Sequence, residues 1–220
     1  MLKAFESSGG TVTPGSSLVT GYDFLADAAT AIASQFSDGI GVQPDELITP
    51  RDLSPQDESD RVWTADALRA ELLGQRHDVV FLAGHFSAVS ALAADFTTSM
   101  LTTDLTSSSV DLTNAIIFSA GCHSGYNIVN QADVPGVTFE PDWAQAFAGK
   151  GATLIAGTGY QYGDTDFLEY SERLYLEFAR QLRTGDGPVS VGQALVAAKQ
   201  AYLATTPQIP DTRLDWPPPM

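Results

Sequence analysis

Two side chains in this sequence are suited to nucleophilic chemistry and stand where such chemistry is favoured: His85, and Cys122, the sole cysteine of 220 residues. Each ends an apolar run: Val79-Val80-Phe81-Leu82-Ala83-Gly84-His85 and Ala115-Ile116-Ile117-Phe118-Ser119-Ala120-Gly121-Cys122. Runs of β-branched and aromatic residues without polar alternation predict strands covered on both faces, as in a parallel sheet. Reacting groups in open α/β sheets gather just beyond the carboxyl ends of such strands. Neighbouring strands of this kind set an imidazole beside a thiol, and an imidazole that takes the thiol proton creates a thiolate nucleophile. A lone cysteine after a strand is by itself more often a small buried hydrophobe. The histidine in the same position on a second strand favours the dyad.

The glycines at 84, 121 and 125 permit the tight backbone path that lifts such side chains clear of a sheet. Backbone N–H groups of Phe86, Gly121 and Cys122 are candidates to stabilise a developing oxyanion. Asp164 and Asp166 are suited to pair with an arginine or lysine side chain, against the simpler reading that they cap and charge the start of a following helix. Asp23, at the carboxyl end of the first predicted strand, is a candidate for orienting His85 or lining a pocket, and equally a helix N-cap. His123 reads as a rim residue, since successive residues leaving a strand point in different directions. His77, ahead of its strand, reads as a surface residue at a helix terminus. No group of His, Cys, Asp and Glu has the spacing of a zinc site, and the Asp-rich stretch 52–60 matches no ordered calcium loop.

Twenty-seven acidic against eleven basic residues leave a formal net charge of -16. Phosphate recognition needs a basic footprint, so nucleic acid is excluded as an expected partner. The acidity suits solubility, or attraction of cationic peptides. One cysteine excludes an intrachain disulfide, and no run approaches the length of a membrane span. A chain of this length buries a full core and is expected to form one α/β domain.

Strands are expected at 18–22, 79–83, 115–119 and 152–156, with a short edge strand at 46–49. Helices are expected at 23–35, capped by Asp23, and at 64–73, 143–147, 166–183 and 191–204. In the helix over 166–183, Phe167, Tyr170, Leu174, Phe178 and Leu182 form the apolar stripe. The segments 87–114 and 126–141 read as loops, the former with at most one helical turn near Ala91. Strands alternating with helices predict a three-layer α/β/α sandwich around a mostly parallel sheet. The division expected is a leader over 1–17, the α/β domain over 18–204 and a proline-rich extended tail over 205–220.

The segments Ser119-Ala120-Gly121-Cys122-His123-Ser124-Gly125-Tyr126-Asn127, Asp142-Trp143-Ala144-Gln145-Ala146-Phe147, Gly157-Thr158-Gly159-Tyr160-Gln161-Tyr162-Gly163-Asp164 and Val191-Gly192-Gln193-Ala194-Leu195 resemble bacterial gingipain-like peptidase domains of the caspase–haemoglobinase clan. The resemblance spans about 18–204. It implies a caspase-like fold and a cysteine endopeptidase with Cys122 as nucleophile and His85 as general acid/base, acting on polypeptide through a thioester. It places Gly157, Thr158, Gly159, Tyr160 and Asp164 in the loop that builds the primary specificity pocket, where an acid would select basic residues. It implies no required cofactor, with calcium held in some relatives, and a parent polypeptide that is larger, incomplete here at both ends, and exported. Phe86 and Gly121 depart from the clan's usual glycine after the histidine and alanine before the cysteine. Phe86, together with the expected incompleteness of the chain, motivates the alternative of an inactive caspase-like interaction module; a hydrolase of non-peptide acyl substrates is a third reading.

Overall fold

The computed structural model describes residues 9, 11–51, 61–127, 140–184 and 187–206. Five strands form one sheet: β1 (Ser17–Gly21), β2 (Asp45–Ile48), β3 (Val79–Leu82), β6 (Ile116–Ser119) and β7 (Thr153–Ala156), in the order β2-β1-β3-β6-β7. Each of its pairings is parallel. The chain leaves β1 through α1 (Ala26–Ile40) to β2 on one side, then returns through α2 (Ala65–Gly74) to β3 on the other. The reversal of strand order between β1 and β3 opens a crevice at their carboxyl ends.

Successive residues of a strand face opposite sides, and here both sides are apolar, which is why the strands read as continuous hydrophobic runs. Leu18, Val80 and Ile117 pack with Leu68 and Leu72 of α2, Leu105 of α3 (Thr102–Ser107) and Phe147 of α4 (Trp143–Gly149). Val19, Phe81 and Phe118 pack with Ile32 and Phe36 of α1, Tyr175 and Phe178 of α5 (Tyr170–Gln181) and Ala198 of α6 (Val191–Thr205). This is the expected three-layer α/β/α sandwich. No described helix is long and apolar enough to cross a membrane.

Several expectations are corrected. The segment 87–114 is not loop: it holds an antiparallel hairpin of β4 (Ser90–Leu92) and β5 (Ser99–Leu101), followed by α3. Strands of three residues are too short to display alternation, and the buried Ala91 and Met100 are their only periodic trace. Asp23 does not cap a helix running to 35; it opens a 3-10 turn, Asp23–Leu25, its Oδ1 accepts the Phe24 N–H, and α1 continues to Ile40. Helix α5 begins at Tyr170 rather than 166, and its buried face is Glu172, Tyr175, Leu176, Phe178 and Ala179, while Phe167 and Tyr170 are exposed. Asp164 and Asp166 therefore do not cap it; Asp164 Oδ1 instead accepts the N–H groups of Asp166 and Phe167 in a turn of its own.

Helix α4 is fixed at its start by Asp142, wholly buried, whose carboxylate accepts the Gln145 N–H at 2.8 Å while the Gln145 side chain accepts the Asp142 N–H. This capping box satisfies donors that an isolated helix end leaves open. Asp142→Ala is expected to lower unfolding free energy by about 1–2 kcal/mol in urea titration.

Candidate active site

The register of β3 and β6 decides where the two candidate residues meet. Leu82 pairs with Ser119, and the Ala120 N–H continues the ladder to the Leu82 carbonyl at 2.9 Å. His85 and Cys122 stand at the same offset beyond these partners. Both line one cavity of 90 Å³, together with Phe24, Leu25, Gly84, Ala120, Gln161, Tyr162, Gly163, Ser171 and Glu172. A larger cavity of 440 Å³ lies at the opposite, amino-terminal end of the strands, against Val79 and Ile116. None of its lining residues is a thiol or an imidazole.

His85 is exposed and its ring is held by aromatic edges: Tyr22 at 5.3 Å between centroids, Phe24 at 5.5 Å and Phe96 at 5.9 Å. Tyr22, which follows β1, is buried and donates its hydroxyl to the carbonyls of Leu92 and Ala93. Burial pushes its phenol well above the ordinary value, so it stays protonated. Gly84 has φ +151, and a Cβ there would fall 2.5 Å from Tyr22 Cε1. Only glycine carries the chain from β3 past that ring to His85.

The Cys122 thiol is half-buried beneath a strap, 161–163. The Gln161 N–H donates to Sγ at 3.4 Å, and Sγ lies 3.6 Å from the Gln161 carbonyl oxygen. The strap is fastened to the first turn of α5: the Ser171 N–H donates to the Tyr162 carbonyl, the Tyr162 N–H to Ser171 Oγ, and the Asp164 N–H to Glu172 Oε2 at 2.9 Å. Among the described residues, the N–H groups of Cys122 and Phe86 have no acceptor. Gly121, the third oxyanion candidate, is corrected: its N–H is taken by Ser119 Oγ at 3.0 Å.

Glu172 is the cavity residue that motif reading missed. It is 1% exposed, and its Oε1 has no hydrogen-bond partner. Burial pushes its carboxyl up to about 7, with the neighbouring charges of Asp27 and Asp164 acting in the same direction. A buried carboxylate short of partners in a cleft beside a thiol is a feature of functional sites. Its sequence signal was a charge on the buried stripe of α5, one turn before Leu176 and Tyr175.

The remaining candidates fall outside the cavity. Asp23 bonds its own neighbour and neither lines the pocket nor meets the His85 ring. Gly157, Thr158, Gly159, Tyr160 and Asp164 are displaced from the lining by Gln161, Tyr162 and Gly163. Thr158 instead holds the rim residue His123, whose Nδ1 lies 3.1 Å from the Thr158 carbonyl and whose ring meets Tyr160 at 4.7 Å. His77 is not a surface residue: it is 1% exposed, with Nε2 2.9 Å from Asp45 Oδ2. Folding brings Asp45, Glu71 and His77 together although their spacing shows no motif, with Gln75 Nε2 donating to both carboxylates. The stretch 52–60 lies outside the described residues.

Compared with family models, with curated proteins and with solved structures, the chain finds no match.

Proposed function

We propose that this protein is a cysteine endopeptidase, with Cys122 as nucleophile, His85 as general acid/base and a preference for cleavage after basic residues. The observation that carries the reading is the single cavity shared by a thiol and an imidazole at equal offsets beyond paired parallel strands. In this reading His85 removes the thiol proton, and the thiolate attacks the scissile carbonyl carbon. The oxyanion forms near the unengaged N–H groups of Cys122 and Phe86. His85 then protonates the leaving amine, and water hydrolyses the thioester in a second step of the same kind. Glu172 supplies the charge that pairs with an arginine or lysine side chain, a part first assigned to Asp164. A cavity of 90 Å³ seats only a few water molecules, so the side chain enters with an outward shift of 161–163.

The test is a peptide panel combined with alkylation of the only thiol. Iodoacetamide labelling of Cys122 at neutral pH is expected to slow about 10²-fold or more in His85→Ala, in parallel with loss of hydrolysis. Unchanged labelling would remove the acid/base role. The contact of both the N–H and the carbonyl of Gln161 with the sulfur supports a second reading, an inactive interaction module. That reading requires ordinary labelling in the parent and no cleavage of any peptide.

A further inference from the structure

Gly121 stands immediately before the nucleophile, and its backbone lies outside the left-handed region, so its own conformation does not demand glycine. What excludes a side chain there is one ring. A Cβ on Gly121 would fall 2.3 Å from Cδ2 and Cγ of Phe86 and 2.7 Å from its Cβ. Carbon atoms do not approach so closely, and Phe86 has little room to retreat. Its ring packs on that of Trp143 at 5.9 Å, and the backbone N–H of Trp143 donates to the Ala88 carbonyl just beyond it. Its backbone is bridged to Ala91, with the Leu92 N–H on the His85 carbonyl and the Ser87 N–H on the Ser90 carbonyl.

His85 is thus clamped from two sides. Tyr22 bars any side chain at Gly84 before it, and Phe86 after it presses on the turn that carries Cys122. We propose that Phe86 is a positioning residue, a wedge against Gly121 that sets the separation between the histidine-bearing and cysteine-bearing turns. Its ring touches no substrate and acts only through the placement of His85 and Cys122. Large at 86 and small at 121 form one unit, since the methyl of an alanine would occupy space already filled by the ring. The inference rests on the Cys122/His85 reading and adds to it the part that holds the pair in register.

The experiment compares Phe86→Gly, Gly121→Ala and the double variant in the full chain. The readouts are the pH profile of Cys122 alkylation by iodoacetamide and kcat for a peptide that the parent cleaves, with circular dichroism as the check on folding. A misplacement of about 1 Å costs on the order of 10²-fold, so Gly121→Ala is expected to lose about that much in kcat with its alkylation profile displaced from the parent's. The double variant, with its clash removed, is expected to regain about ten-fold or more over Gly121→Ala. Additive losses, or a Gly121→Ala profile that superimposes on the parent's, would overturn the proposal. If Gly121→Ala does not fold, the double variant is expected to fold, because the same clash is relieved; a double variant equally unfolded would also overturn it. His85→Ala separates the two layers of argument. If it leaves alkylation unchanged, the acid/base reading itself falls. If it slows alkylation while the Phe86 and Gly121 variants do not, only the wedge falls.

Discussion

Cys122→Ala is expected to reduce peptide hydrolysis by about 10⁶-fold, to the background of the assay, since removing a nucleophile removes the covalent path and not one contribution to it. The variant is expected to fold as the parent does, because the thiol is half-buried and its neighbours are the backbone groups of Gln161. Prior alkylation of the parent is expected to have the same effect, and no other cysteine confuses the measurement. The comparison needs only purified parent and variant assayed on one peptide. Hydrolysis that survives in Cys122→Ala at the parental rate would end the cysteine peptidase reading, whatever else the cavity binds.

Glu172→Gln is expected to stabilise the fold at alkaline pH while weakening recognition of basic residues. The carboxyl of Glu172 moves from an ordinary value of 4.5 up to about 7 in the folded protein, chiefly through burial. Between those values the folded protein keeps a proton that the unfolded chain has released, so stability falls as pH rises through that window. The full difference has an upper bound of about 3 kcal/mol at pH 8, less in proportion to the water that reaches the carboxylate. Glutamine has no proton to lose there. Urea titrations are therefore expected to show variant and parent closest near pH 4 and diverging towards pH 8, with the variant the more stable. A gap that does not change with pH would mean that Glu172 does not titrate in the folded state. In the peptide panel, kcat/KM for substrates with arginine or lysine before the scissile bond is expected to fall about 10- to 100-fold in the variant, the worth of a charge-assisted hydrogen bond. Substrates with neutral residues there are expected to change little. A destabilising buried charge is understandable if the cavity holds it for a cationic ligand, as functional sites retain groups that stability alone would remove.

The wedge formed by Phe86 and Gly121 bears on how such a site was legible. In the sequence each residue looked like a separate flaw in the resemblance to gingipain-like domains. In space they are one contact, a large side chain filling the place that a small residue leaves open. Departures of that kind weigh less against activity than when counted singly, since packing constrains the pair and not each member.

Other misreadings share the same cause. Glu172 sits on the buried stripe of α5, where periodicity anticipates apolar residues, and the pattern over 166–183 assigned Phe167 and Tyr170 to that stripe instead. A shift of the stripe by one or two residues was enough to hide the acid and promote Asp164, which bonds its own turn. Preceding a strand, His77 reads from the sequence as a surface residue, yet the end of α2 and the start of β2 close over it. Neither Glu71 nor Asp45 lies near His77 in the spacing of a motif; the sheet order brings them together.

By themselves the residues determined the buried parallel strands, the alternation with helices, and the two strand-terminal side chains that could do chemistry. Those properties are local: apolar runs, turn-forming glycines and the identity of the residue at the end of each run. Only the tertiary structure decided that Leu82 and Ser119 are level, that the strap at 161–163 covers the thiol, that Glu172 faces the same cavity, and that Phe86 excludes a side chain at 121. Each depends on strand register or on contact between segments far apart in the chain. A one-residue slip between β3 and β6 would undo the level pairing of Leu82 with Ser119 and the contact of Phe86 with Gly121 without altering the composition of either strand.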